Sequence, residues 1–296
     1  MVFNEGNKFL EIEKFRLFGL EIGPIVIAWY AVLILTGAMV AMVLAIREGK
    51  KIGVNKDFVI DTVLYGIPIS VIGARLYYVI FAWDYYKDNP IDALKIYEGG
   101  LAIHGAVIFA VIWGYYFSKR RKVEFLRAID LAAPGFLIAQ GIGRWGNFMN
   151  QEAHGGKVPG ATLVEQVEYL TKVGIPKFVI DRMYINGAYM HPTFFYEFLW
   201  NLCGFTLMLI LRRTKYLYVG DLGLVYMMWY SFGRCIIEEM RTDSLYLGHT
   251  GIRVAQLISG LMFVSGAVIL ILRHYYKWNP KYYYKLLEEN RGEVNE

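Results

Sequence analysis

Residues 125–156 read FLRAIDLAAPGFLIAQGIGRWGNFMNQEAHGG, and the change of character inside that stretch decides the fold class. Its first part, Phe125 to Gly143, is apolar enough to cross a bilayer, yet it runs into Arg144, Asn147, Asn150 and Glu152 with almost no spacer. An arginine at the bilayer centre costs roughly 2.5–3.5 kcal/mol on insertion scales. A segment that served only as an anchor has no use for that residue, or for two amides, at its end.

The rest of the chain has the same apolar background. A soluble domain carries about 25% charged residues; this chain of 296 residues carries 19%, with 56% hydrophobic and 16% aromatic. Seven apolar runs are long enough to span hydrocarbon: Pro24–Ile46, Phe58–Ala82, Leu101–Ser118, Phe125–Met149, Thr193–Leu211, Leu222–Glu239 and Ile252–Leu272. The pattern predicts an all-α integral membrane protein of seven transmembrane helices. Helices 1–4 fall in 24–149 and helices 5–7 in 193–273, with a tail over 274–296. A mixed, acidic-containing arm over 1–23 comes before the first run, so no cleavable signal peptide is expected. Within it, EKFRLFGLEIGP alternates around Gly19 and reads as a short hairpin. The connection 150–192 is too long for a simple loop and reads as a small subdomain. It has a helix at Thr162–Lys172 and a hairpin, MYINGAYM, turning at Asn186-Gly187. Cys203 and Cys235 lie inside apolar runs and read as small buried side chains; no Cys/His spacing suggests a metal.

Basic residues set an orientation. Arg47, Lys50, Lys51 and Lys56 lie between runs one and two, and Lys119, Arg120, Arg121, Lys122 and Arg127 between three and four. Arg212, Arg213 and Lys215 follow run five, and the tail carries Arg273, Lys277, Lys281, Lys285 and Arg291. The alternate connections are poorer, so the positive-inside rule predicts an extracytoplasmic N-terminus and a cytoplasmic C-terminus. The net charge of +5 is thereby explained by topology and anionic membrane lipids, without nucleic acid.

With that orientation, the intramembrane polar residues fall in one half of the bilayer. Arg75, Arg144 and Arg234 lie late in runs that head outward, Tyr30 and His104 lie early in runs that head inward, and His191 closes the long loop. Gln140, Arg144 and Asn147 share a face of helix four; Tyr230, Arg234, Glu238 and Arg241 form one stripe on helix six. Converging guanidiniums suit a phosphate, because their planar fork offers bidentate contact. For Arg75 and Glu238 a second reading stands, in which they pin helices together. His104 follows EGGLAI at a membrane entry, where an imidazole can take a proton near neutral pH. A transporter or channel for an anionic solute is the competing class. The gathering on one side and the lack of inverted repeats count against it.

GRWGNFMNQEAHG resembles, position for position, the signature of the prolipoprotein diacylglyceryl transferases. Supporting pieces run in the family's order: IAWYAVL at Tyr30, GARLYYV at Arg75, EGGLAIHGA at His104, HPTFFYE at His191 and YSFGRCIIEEMR at Tyr230–Arg241. Ala106, Phe194 and Phe195 depart from the family's usual residues. The resemblance implies transfer of the diacylglyceryl group of phosphatidylglycerol onto the lipobox cysteine of a prolipoprotein signal peptide, with glycerol phosphate released and no cofactor. His104 would be the base, and Arg144 with Arg234 would meet charge developing on phosphate. Tyr30, Asn147 and Asn150 would orient the headgroup, Glu152 and Glu238 would hold the arginines, and Gly155 would leave room for substrate backbone. Arg75, His191, Tyr230 and Arg241 complete the expected binding set. The site is expected toward the outer leaflet of a bacterial cell membrane.

Overall fold

A computed structural model of the chain describes residues 8–12, 15–17, 20–22, 25–96, 99–242, 244–248 and 250–292. Among the described residues, seven helices have 18 residues or more: α1 (Trp29–Lys51), α2 (Lys56–Phe81), α4 (Ile103–Arg120), α5 (Phe125–Asn150), α8 (Thr193–Leu211), α9 (Asp221–Met240) and α10 (Val254–Tyr275). Shorter helices are α3 (Trp83–Tyr86), α6 (Leu163–Lys172), α7 (Lys177–Ile180) and α11 (Tyr283–Gly292). The protein is therefore mostly helical. Five helices, α1, α2, α5, α8 and α10, are long and apolar enough to cross a membrane. Of the other two, α4 finishes on Lys119-Arg120, and α9 carries Asp221, Arg234, Glu238 and Glu239.

The arm differs from its sequence reading. The expected inner hairpin is there as β2 (Phe15–Leu17) against β3 (Leu20–Ile22), although Gly19 lies outside the described residues. An outer pair was not anticipated: β1 (Lys8–Ile12) runs antiparallel to β4 (Ile25–Ala28). The first helix consequently starts at Trp29 rather than at Pro24. Ile25, Val26 and Ile27 are β-branched and apolar, so hydropathy alone counts them as helix while their stiff χ1 suits a strand.

Close backbone approach holds the bundle together, as expected where lipid tails are as apolar as the side chains. A Cβ at Gly37 of α1 would lie 3.0 Å from the Ala139 carbonyl oxygen of α5. Between α8 and α9, Trp200 and Trp229 stack with centroids 4.3 Å apart, and each indole donates to the other's main-chain carbonyl at 3.0 Å. Gly233 and Gly204 lie directly beneath those rings. This reciprocal clasp fixes the register of the two helices. Helices α2 and α4 form a second tight pair, with Gly105 against the Gly73 carbonyl. Helix α4 meets α5 where α4 ends, through Tyr115 on Phe125.

The end of the bundle where α5 begins is a closed apolar core including Ile52, Phe58, Phe117, Leu137, Leu222 and Leu286. Buried carboxylates tie its loops together. Glu48 takes Arg213 and Tyr283, Asp130 accepts from the Gly220 and Gly223 amides, and Asp221 takes Arg273 and His274. At the other end of α5, residues after Asn150 form a subdomain with its own core, Phe148, Val158, Leu170, Val179, Met183 and Phe194 among it. Thr162 caps α6 by accepting from Glu165 N–H, and Glu165 reaches back to the Ala161 amide. Strands β5 (Tyr184–Ile185) and β6 (Ala188–Tyr189) pair across Asn186-Gly187, both at positive φ, the geometry that dipeptide favours. Cys235 is partly covered, but Cys203 lies on the exposed face of α8 rather than in the interior.

Candidate functional site

Helix α5 carries its signature to its last turn and stops because Gln151 adopts a left-handed conformation, φ 51°. Glu152 N–H then donates to the Asn147 carbonyl, which folds the chain back over the helix end. That fold brings the Glu152 carboxylate to the Asn147 and Asn150 amides, each donating to Oε1 at 3.1 Å. Glu152 thus organises the amides, while Arg144 pairs with Glu197, in place of the expected role of Glu152 in holding arginines. Its physical reason is reach: the turn directs it across the two asparagines of the last helical turn.

The arginines are held by a residue that has no role in the sequence reading. Glu197 of α8, 7% exposed, faces Arg144 through Nε, Arg234 Nη1 at 3.3 Å and Arg241 Nη1 at 4.0 Å. Arg234 also meets Glu238 Oε2 at 2.7 Å, one turn along α9. The approach there is off the N–H direction, so this is a close ion pair rather than an aligned hydrogen bond. Two helices, α5 and α9, therefore deliver cations to one buried carboxylate on a third, α8, and the tryptophan clasp sets the α8–α9 register that allows it. Arg144 and Arg234 keep 24% and 20% of their side-chain surface exposed, so both are paired yet still reachable. The signal for Glu197 was available: a lone carboxylate early in an otherwise apolar run, which in lipid calls for a partner.

Around this cluster the remaining residues divide. Tyr30, in the first turn of α1, lays its ring on Gly146 of α5, where a Cβ would come within 2.4 Å of it. Tyr230 lies one turn before Arg234 and stacks on Tyr226. Arg241 ends α9 and forms an isolated antiparallel bridge with Gly155. The space that Gly155 leaves is occupied by the chain itself: a Cβ there would meet His191 Cβ at 2.8 Å and the Met240 carbonyl at 3.0 Å. His191 exchanges backbone hydrogen bonds with Gly155 and Gly156, and its Nδ1 lies 3.2 Å from the Tyr196 hydroxyl. Burial holds its imidazole below the usual histidine range, hence neutral at pH 7.

Two expected residues stand apart from the cluster in their contacts. Arg75 is buried and donates to five main-chain carbonyls: Asp92, Ala93, Lys95, Gly99 and Gly100. It fastens the connection between α2 and α4, so its guanidinium is fully engaged by backbone. His104, in the first turn of α4, is exposed and stacks on Tyr77 of α2 with centroids 6.0 Å apart. No cluster of metal-ligating side chains occurs among the described residues.

A bundle of long apolar helices with fixed, reachable guanidiniums at one end has the fork geometry that suits an anionic group. Comparison with known proteins then gives the family. A model of prolipoprotein diacylglyceryl transferase matches residues 18–272. A phosphatidylglycerol–prolipoprotein diacylglyceryl transferase of Listeria innocua is 46% identical over 93% of this chain and 94% of its own. One of the same name from Bacillus mycoides is 48% identical over 86% of this chain and 90% of its own. The chain belongs to the prolipoprotein diacylglyceryl transferase family, and the transporter reading is left without support.

Proposed function

We propose that this chain transfers the diacylglyceryl group of phosphatidylglycerol to the cysteine thiol of a prolipoprotein. The new bond is a thioether between cysteine sulfur and a glycerol carbon. The bond broken joins that carbon to a phosphate oxygen, and the leaving group is glycerol phosphate, which keeps the electron pair. The thiol proton goes to His104, which raises the thiolate fraction of a group whose pKa is near 8.5. Arg144 and Arg234 stabilise the charge that develops on phosphate. Glu197 and Glu238 keep those guanidiniums in position, while Asn147, Asn150 and Tyr30 orient the headgroup and Glu152 orders the two amides. Arg75, His191 and Gly155 fasten the loops that carry the others, and Arg241 does so through its bridge to Gly155 while its guanidinium joins the cluster on Glu197.

The reading takes α4 and α9 as spans as well, giving seven. At 1.5 Å per residue they reach about 27–30 Å, a hydrocarbon thickness. The charges of α9 are offset within the bundle by Arg234–Glu238 and by Glu197. Basic loops then put the N-terminus outside, the C-terminus in the cytoplasm and the arginine cluster toward the outer leaflet, where the apolar signal segment of a precursor ends in its cysteine. The observation that carries this reading is the convergence of Arg144, Arg234 and Arg241 on one buried glutamate. Incubating the purified chain with phosphatidylglycerol labelled in its glycerolipid part and a lipobox peptide tests it. Label on the peptide cysteine is expected; an unlabelled peptide rejects the assignment.

A further inference from the structure

Gln140 and Tyr226 are a polar pair that the transfer chemistry leaves unused. Gln140 sits on α5 one turn before Arg144, about 6 Å deeper along the helix. Its Nε2 donates to the Tyr226 hydroxyl of α9 at 2.8 Å. Its Oε1 is buried with no partner. The pair lies in an apolar layer, with Phe136 packed on Tyr226 and Tyr230 stacked on its other side at 6.1 Å.

The hydrogen-bond count of this pair does not close. As placed, the amide donates to the tyrosine oxygen, and the tyrosine proton is left to find an acceptor. With the amide turned over, the tyrosine donates to Oε1, and the NH2 group is left instead. Either arrangement leaves two donors unused in hydrocarbon, where no bulk water is at hand to take them, and the turned-over amide also satisfies Oε1, so that its surplus is donors alone. Donors left unmatched in such a layer are unfavourable, so a polar pair kept here calls for an acceptor brought by something else. There is room for one. No neighbour lies within 4 Å of where a Cβ at Gly143 would sit, on the α5 surface between Gln140 and Arg144.

From this juxtaposition we infer that Gln140 and Tyr226 form a subsite for an acyl-ester carbonyl of the lipid donor. A glycerophospholipid whose phosphate rests on Arg144 and Arg234 carries its ester carbonyls a few bonds deeper, at the level one helical turn down. Those carbonyls are acceptors without protons, which matches a site with donors left over. The open side of Gly143 takes the glycerol backbone between the two levels. This subsite reads the linkage of the chains to glycerol rather than their length, so it discriminates ester from ether lipids. The inference rests on the proposed transfer activity.

The test compares diacyl and dialkyl-ether phosphatidylglycerol as donors to a lipobox peptide, using the full-length purified chain. The unaltered protein is expected to favour the diacyl donor about tenfold in kcat/KM. In Gln140→Leu with Tyr226→Phe that ratio is expected to fall to about one. Tyr226→Phe alone removes a single oxygen, retains the ring stack and is expected to lower the ratio as well. Replacing both partners by apolar groups of similar shape is nearly neutral for stability. A ratio near one in the unaltered protein, or a tenfold ratio that persists in the double variant, overturns the subsite. Absence of transfer from either lipid overturns the transfer activity itself, and the subsite with it.

Discussion

Two glutamates sit among arginines at opposite ends of the same bundle, and they are built differently. Glu48, 2% exposed, receives both terminal nitrogens of Arg213 at 2.7 and 2.6 Å and the Tyr283 hydroxyl at 3.1 Å. Lys51 lies 3.6 Å and Arg212 3.8 Å away. Both carboxylate oxygens are engaged, and the result ties α1, the segment after α8 and α11 into one unit. Glu197 instead takes single contacts from arginines on different helices, and Arg144 reaches it through Nε rather than through the fork. The first arrangement is a latch. The second holds cations at fixed positions while Arg144 and Arg234 stay partly exposed, as the proposed site for a phosphate requires. On the proposed reading the same residue types serve stability at one end and binding at the other, and the mode of contact tells them apart.

The comparison can be broken by substitution at either end. Arg144→Ala leaves Glu197 paired with Arg234, so the fold persists while transfer falls by about a hundred- to a thousandfold, read from initial rates alongside thermal unfolding. Glu48→Ala has the opposite profile. It strands the Arg213 and Arg212 charges and costs about 3 kcal/mol, the low end for a broken buried pair because Arg213 is partly exposed. Chemical denaturation reads that loss, and turnover per folded molecule stays unchanged.

His104 extends the contrast to the α2–α4 pair. His104→Gln lowers turnover about a hundredfold at pH 6.5 and less at pH 9, where the acceptor thiol ionises unaided. A ratio independent of pH assigns it to positioning instead. The smallest effect is at His191. Its folded-state pKa lies below the ordinary value, so between the two the unfolded chain binds more protons and stability falls as pH drops below about 6.5. His191→Gln is expected to flatten that acid limb in a pH series of thermal melts without shifting the melt at pH 8.

Much of this was legible in the sequence because it was local. The α5 signature, the α6 helix and the Asn186-Gly187 turn are set by neighbours within a few residues, and each appears where spacing put it. The seven apolar runs became seven long helices for the same reason, apart from Ile25–Ala28, where strand pairing with Lys8–Ile12 overrode hydropathy. What was not legible depends on partners far along the chain. Glu197 gains its meaning from Arg144 and Arg234, which lie on α5 and α9. Arg75 looked like a ligand for phosphate because its five acceptors are main-chain carbonyls, which carry no side-chain signature. Glu152 was assigned to the arginines by charge, whereas the left-handed turn at Gln151 hands it to two amides.

The most direct measurement is equilibrium binding of phosphatidylglycerol to the purified chain, with the two ends altered in parallel. The Arg144→Ala, Arg234→Ala double variant is expected to bind the lipid about tenfold or more weakly, because each charged hydrogen bond contributes roughly 1.5–3 kcal/mol. Arg213→Ala is expected to bind it as the unaltered protein does, although it melts earlier. Undiminished binding by the double variant, or loss of binding in a folded Arg213→Ala, would contradict the assignment of the two ends.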